Sequence, residues 1–246
     1  MKKILSMLLV LCMALTLCSA AFAEGKSPVD GMTVAFIPKV SGNSFFEAAN
    51  DGAQKYAADW GLTVDYIGAP TADVTTQLEL IQQAIDKGVD AICISSVDAT
   101  GLDEKLQEAQ DAGIYVSTWD SDVSPNARAL MVSQGTADVL GPMLVDMAVE
   151  SLKERGVDVN GEVKYVWHFS NPSVSDQNSW YVAGDKYIKE KYPSWVAVHD
   201  PYYSNQDPAQ SVSVGESILD AYADVDVIIC NDSTALPGQC KAAENK

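Results

Sequence analysis

Residues 62–94 read LTVDYIGAPTADVTTQLELIQQAIDKGVDAICI, a short apolar run, a longer segment of helical period, then a second apolar run. In the first run Val64, Tyr66 and Ile67 are residues that suit a pleated, half-buried surface. The middle segment, Val74 to Lys87, places Val74, Leu78, Ile81 and Ile85 at steps of four, three and four, the spacing of one helix face. Gly88 follows, where a left-handed residue ends a helix, and Asp90 to Ile94 forms the second apolar run. Two strands joined through a helix of this length make a βαβ unit. Its strands are therefore parallel, and such a sheet is covered on both faces.

The same alternation extends in both directions. Further strands are expected at Thr33 to Ile37, Ile114 to Thr118, Val163 to Phe169, Val196 to His199 and Val225 to Cys230. Helices are expected at Phe45 to Trp60, Gly101 to Ala112, Val139 to Glu154, Asp176 to Lys191 and Ala209 to Ala223. Gly61, Gly88 and Gly113 recur at intervals of 27 and 25 residues, one strand-helix unit each. Ser121 to Gln134 breaks the pattern with turn residues, after which a second βα series begins. The expected class is α/β, with two doubly wound parallel-sheet lobes: residues 24–120, a hinge crossing at 121–134, and residues 135–246. The second series offers only three strands and stops at Glu244-Asn245-Lys246 in a helical pattern, so that lobe is expected to be incomplete and the chain a fragment.

Met1-Lys2-Lys3, the apolar run Ile4 to Leu17 and the small-residue segment Ala20 to Ala23 predict a cleaved signal peptide over residues 1–23 and an extracytoplasmic protein. Without Lys2 and Lys3 the mature chain carries 14 basic and 34 acidic residues, a net charge of 14 − 34 = −20. That balance excludes nucleic acid as a partner. Cys93, Cys230 and Cys240 are an odd set at wide spacing and no disulfide framework; all three are read as structural, Cys93 and Cys230 as small buried thiols.

Nucleophile-elbow, P-loop, dinucleotide and zinc-protease motifs are all missing from the sequence, so no enzyme, cofactor or metal is expected. His168 and His199 stand alone. The remaining polar candidates sit just after strands, where ligands bind in open α/β sheets. Lys39 follows the first strand and can donate into a cleft. Asp120 follows the fourth, and its carboxylate can accept two hydroxyl bonds at roughly twice neutral strength. Asp176 and Gln177 open a helix that Ser175 is expected to cap. Phe45 or Phe46 offers a ring to a sugar-like face. Together they describe a cleft for a compact polyol.

At these residues the chain resembles the periplasmic sugar-binding family of ABC importers, most nearly its autoinducer-2-binding members. The blocks that carry the likeness include residues 35–39 (AFIPK), Phe45-Phe46, residues 118–122 (TWDSD), residues 134–136 (QGT), residues 143–147 (MLVDM) and residues 175–178 (SDQN). The resemblance implies a type I binding-protein fold that continues beyond Lys246, with its lobes joined by three crossing strands, so the chain as written should fold poorly and bind weakly. It implies a monomer that delivers its ligand to a membrane permease. It also implies that Lys39, Asp120, Asp176 and Gln177 hydrogen-bond autoinducer-2. The family pattern has proline and alanine flanking an aspartate where this chain has Asn231-Asp232-Ser233, so Asn231 and Ser233, with Asp232 between them, add hydrogen-bonding capacity. They admit the same ligand or retune the site to a monosaccharide such as rhamnose or ribose.

Overall fold

The computed structural model describes residues 27–246, so the expected signal peptide lies outside the described residues. The first lobe is a five-stranded parallel sheet of β1 (Thr33–Ile37), β2 (Thr63–Tyr66), β3 (Ala91–Ile94), β4 (Tyr115–Trp119) and β5 (Leu130–Val132), in the order β2-β1-β3-β4-β5. Helices α1 (Ser44–Trp60), α2 (Val74–Lys87) and α3 (Asp103–Asp111) make the crossovers. Alternation along β1 sends Ala35 and Ile37 into one core with Ile81, Ile92 and Leu106. Phe36 goes into the other with Phe46 and Trp119. Both faces are thus covered, as a parallel sheet requires.

The second lobe is built on β6 (Lys164–Phe169), flanked by β7 (Val196–Ala197), β8 (Tyr202–Tyr203) and β9 (Val227–Cys230), with α4 (Ala137–Glu154), α5 (Ser175–Lys191), α6 (Pro208–Ala221) and α7 (Ala235–Glu244). Tyr165 pairs with both Ala197 and Val227, and His168 with both Tyr202 and Cys230. A strand has two edges, so β7 and β8 are two pieces of one edge and β9 takes the other. All pairings are parallel. The α/β reading with two parallel-sheet lobes is borne out.

Two local expectations change. Within 121–134, a 3-10 turn at Pro125–Ala127 and strand β5 complete the first sheet; the four residues 133–136 between β5 and α4 lead from the first sheet to the second lobe. The turn residues there hid a strand of three residues, too short to show a period. Tyr202–Tyr203 also pairs as a strand, though it follows Pro201 in a polar stretch. Gly61, Gly88 and Gly113 do take left-handed backbone at helix ends.

The second lobe depends on close helix contact. A Cβ placed at Gly141 of α4 would lie 2.6 Å from Gly184 N and Trp180 O of α5, and one at Gly184 would lie 2.8 Å from Trp167 Cη2. These two glycines let α4 settle on α5 and α5 settle on the sheet, which fixes the start of α5 in space.

Candidate functional site

The β1 strand ends at Ile37, and Lys39 two residues on carries its ammonium into the gap between the lobes, where it is 3% exposed. Its Nζ stands 2.9 Å from Asp120 Oδ2 of the first lobe and 3.3 Å from each carboxylate oxygen of Asp176, in the first turn of α5 in the second. One cation is thus shared by two carboxylates from opposite walls, all three residues being buried. Burial works against the ammonium, but Asp176 and Asp120 beside it outweigh this and hold Lys39 above its ordinary value. For Asp120, burial opposes ionisation while Lys39, Ser95 and Gln134 favour it, and the carboxyl lies below its ordinary value. Asp176 goes the other way: burial, reinforced by repulsion from Asp120, outweighs Lys39 and raises it.

Asp120 is a non-glycine residue at φ 60°, a left-handed conformation that costs on the order of 1 kcal/mol. Its N–H donates to Val132 O at 3.0 Å, so β5 holds the turn. Ser95 Oγ donates to its Oδ2 at 2.7 Å, and the Gln134 amide donates to its Oδ1. The Ser121 hydroxyl donates to Asp176 across the cleft.

Gln177 is bonded at both ends: Oε1 accepts from Ser170 N at 3.1 Å and Nε2 donates to Asp232 Oδ2 at 2.7 Å. Asp232 Oδ1 accepts from Thr234 N and Ala235 N, anchoring the start of α7. Asn231 Nδ2 donates to Gln177 O at 2.7 Å, while its buried Oδ1 accepts no hydrogen bond among the described residues. Asn43 caps α1 through Phe45 N and donates across the cleft to Ser233 Oγ and Thr234 Oγ1, both at 3.1 Å.

The expected capping by Ser175 is not what the structure shows. The residue before α5 is Val174, with no side-chain cap. Ser175 Oγ instead donates to Asp122 O and accepts from Asp122 N, both at 3.0 Å, so the hydroxyl is spent on a reciprocal pair between the lobes.

These residues enclose a cavity of about 270 Å³, and its wall includes all nine sequence-derived candidates: Lys39, Phe45, Phe46, Asp120, Asp176 and Gln177, with Asn231, Asp232 and Ser233. Phe46 also belongs to the core against Trp119, at 5.8 Å edge to face, whereas Phe45 is 38% exposed. The wall contains further residues that sequence reasoning did not assign, among them Gln134, Trp180, Gln206 and Cys230. Trp180 lies one helical turn beyond Asp176 and was reachable by that spacing. Gln134 follows the short strand β5, and Gln206 lies in a turn without periodic signal. Cys230 corrects the purely structural reading of the thiols, since it sits at the cavity wall; burial and then Asp232 push it up and keep it protonated. Cys240 is exposed.

Small-ligand pockets run from about 300 Å³ upward, so this one suits a compact guest. Three aspartates crowd a single lysine already occupied by two of them. What the wall chiefly offers is therefore hydrogen-bond acceptance, which matches a guest with several hydroxyl donors.

A family model described as a periplasmic binding protein domain matches residues 34–246. Among solved structures, LsrB from Clostridium saccharobutylicum in complex with AI-2 is 59% identical, with a TM-score of 0.86 over 87% of this chain and 66% of that one. A D-ribose/D-allose-binding protein of Pseudomonas aeruginosa is 28% identical over 51% of this chain and 41% of its own length. A D-apiose import binding protein of Actinobacillus succinogenes is 27% identical over 91% of this chain and 68% of its own. The chain therefore spans less than half of the first of these curated relatives and about two thirds of the Clostridium structure.

Proposed function

The chain belongs to the family of periplasmic binding protein domains, and from that premise we propose that it captures autoinducer-2 between its lobes as the extracytoplasmic binding component of an ABC importer. Lys39, Asp120, Asp176 and Gln177 hold the ligand hydroxyls, with Asn231 and Ser233 at the far wall and Phe45, Phe46 and Asp232 around them. The ligand leaves unaltered, handed to a membrane permease by a monomer. Residues 27–132 and 137–246 act as the two jaws, and residues 133–136 between β5 and α4 form one crossing. The observation that carries this reading is the buried Lys39 shared by Asp120 and Asp176 from opposite lobes, in a chain 59% identical to a protein solved with AI-2.

The mechanism follows from charge and reach. With both lobes supplying the carboxylates that flank one ammonium, closure assembles the acceptor set and excludes water, which strengthens each bond to the guest. Asn231 and Ser233 favour a second reading, a monosaccharide ligand, because both add hydrogen-bonding groups at the wall. Titration calorimetry on the full chain separates the two. Micromolar or tighter binding of autoinducer-2 is expected; no heat with it but tight binding of rhamnose or ribose replaces the first reading with the second.

Acidity gives a further check. Asp176, with a folded-state value raised above 3.8, takes a proton in the folded chain at a pH where the unfolded chain has released it. A protonated carboxyl gives up acceptor capacity, so affinity is expected to fall as pH drops and Asp176 takes up its proton, and Asp176→Asn is expected to flatten that acid limb. The sign for stability is opposite. Relative to Asp176→Asn, the unmutated chain gains stability as pH falls through the raised Asp176 value towards the unfolded one. Parallel titrations and urea unfolding measure both; an equally steep acid limb in Asp176→Asn refutes the assignment.

A further inference from the structure

Gln206 lies in the turn between β8 and α6, and it and Asn205 both adopt left-handed backbone, at φ 56° and 51°. Two consecutive non-glycine residues there are unfavourable, so the surrounding structure must hold them. It does so through the turn: Ser204 N donates to Phe169 O and Ser170 O, Asn205 N to Ser170 O, and Asp207 caps α6 through Gln210 N at 2.7 Å. Ser170, to which the turn is tied, is the residue whose N–H also positions Gln177. The Gln206 amide is therefore referenced to the same point as an assigned contact of the cavity.

Gln206 is 4% exposed, and among the described residues its side chain makes no hydrogen bond; Oε1 is buried without a donor. A carboxamide carries two donors and two acceptor sites, and burying it unpaired is unfavourable. The residue lines the 270 Å³ cavity and also a neighbouring hollow of about 350 Å³ bordered by Asn43, Pro70, Val212 and Pro237. Ser233 is the other residue common to both, and Asn43 holds its hydroxyl. Gln206 and Ser233 thus form the partition between the two spaces.

We propose that Gln206 is a specificity-determining residue of the cleft: its amide hydrogen-bonds one ligand hydroxyl, and its side chain closes the partition that limits ligand size. This rests on the binding role assigned to the cleft. A strained turn that delivers an unpaired, buried amide is otherwise an unfavourable arrangement without a return.

The test is titration calorimetry on the full chain with autoinducer-2 and with L-rhamnose, alongside thermal unfolding without ligand. Gln206→Met keeps the volume and removes the hydrogen bond, and is expected to weaken autoinducer-2 binding about tenfold with the ligand-free midpoint little changed. Gln206→Ala also opens the partition, and is expected to lose autoinducer-2 affinity at least as far while shifting the ratio of affinities towards the larger sugar by about tenfold. Gln206→Met binding within twofold of the unmutated chain overturns the proposal. So does an equal loss for both ligands accompanied by a lowered ligand-free midpoint, the mark of a purely structural residue. If the unmutated chain binds L-rhamnose and not autoinducer-2, the functional reading falls, and Gln206→Met is then judged on L-rhamnose by the same criteria.

Discussion

Replacing Lys39 by methionine is expected to abolish ligand binding and to destabilise the fold by roughly 3–5 kcal/mol, the range seen when one partner of a buried ion pair is removed. Lys39, Asp120 and Asp176 are each at least nine-tenths buried, so solvent screens little of the effect. Without the ammonium, two buried carboxylates from opposite lobes face each other, and one must take up a proton or the lobes must part. The defect is therefore expected to shrink as pH falls. Urea unfolding at neutral and mildly acidic pH, with calorimetric titration of the same samples, measures it. An unchanged midpoint with binding intact would show that the lysine is a bystander.

The second large effect is expected at Gly141, which does not itself line the cavity. A valine there places a Cβ 2.6 Å from backbone atoms of α5, which cannot rotate away as a side chain would. Overpacking of this kind costs about 1–3 kcal/mol and occasionally more. Because α5 carries Asp176, Gln177 and Trp180, Gly141→Val is expected to weaken ligand binding as well as stability. At Gly52 of α1 a Cβ meets nothing within 4 Å among the described residues. Gly52→Ala is therefore expected to stabilise the protein by ~0.4–1 kcal/mol and leave binding unchanged. Chemical denaturation of the two variants with a titration of each distinguishes packing from a general intolerance of glycine replacement.

Much of the architecture was legible because βαβ repetition leaves two independent signals, the period of each helix and the glycine that ends it. The segment from Val74 to Lys87 and Gly88 shows both. Strand β5 escaped because three residues carry no period and their pairing to β4 is a tertiary fact. Ser175 misled for a related reason: its position before Asp176 suits a cap, but the hydroxyl had a competing partner 53 residues away in Asp122. The site residues lay at strand ends, where a polar residue after an apolar run stands out. Gln206 did not stand out, since in a turn rich in Ser, Asn and Asp an amide is unremarkable until its burial and backbone conformation are seen.

The clamp itself is most directly tested by a crystal structure of the full chain with autoinducer-2. The account predicts the ligand between the lobes with hydroxyls within hydrogen-bond distance, about 2.5–3.0 Å, of Asp120 and Asp176, and with Lys39 beside both carboxylates. A ligand bound elsewhere, or bound here without contact to either aspartate, would contradict it.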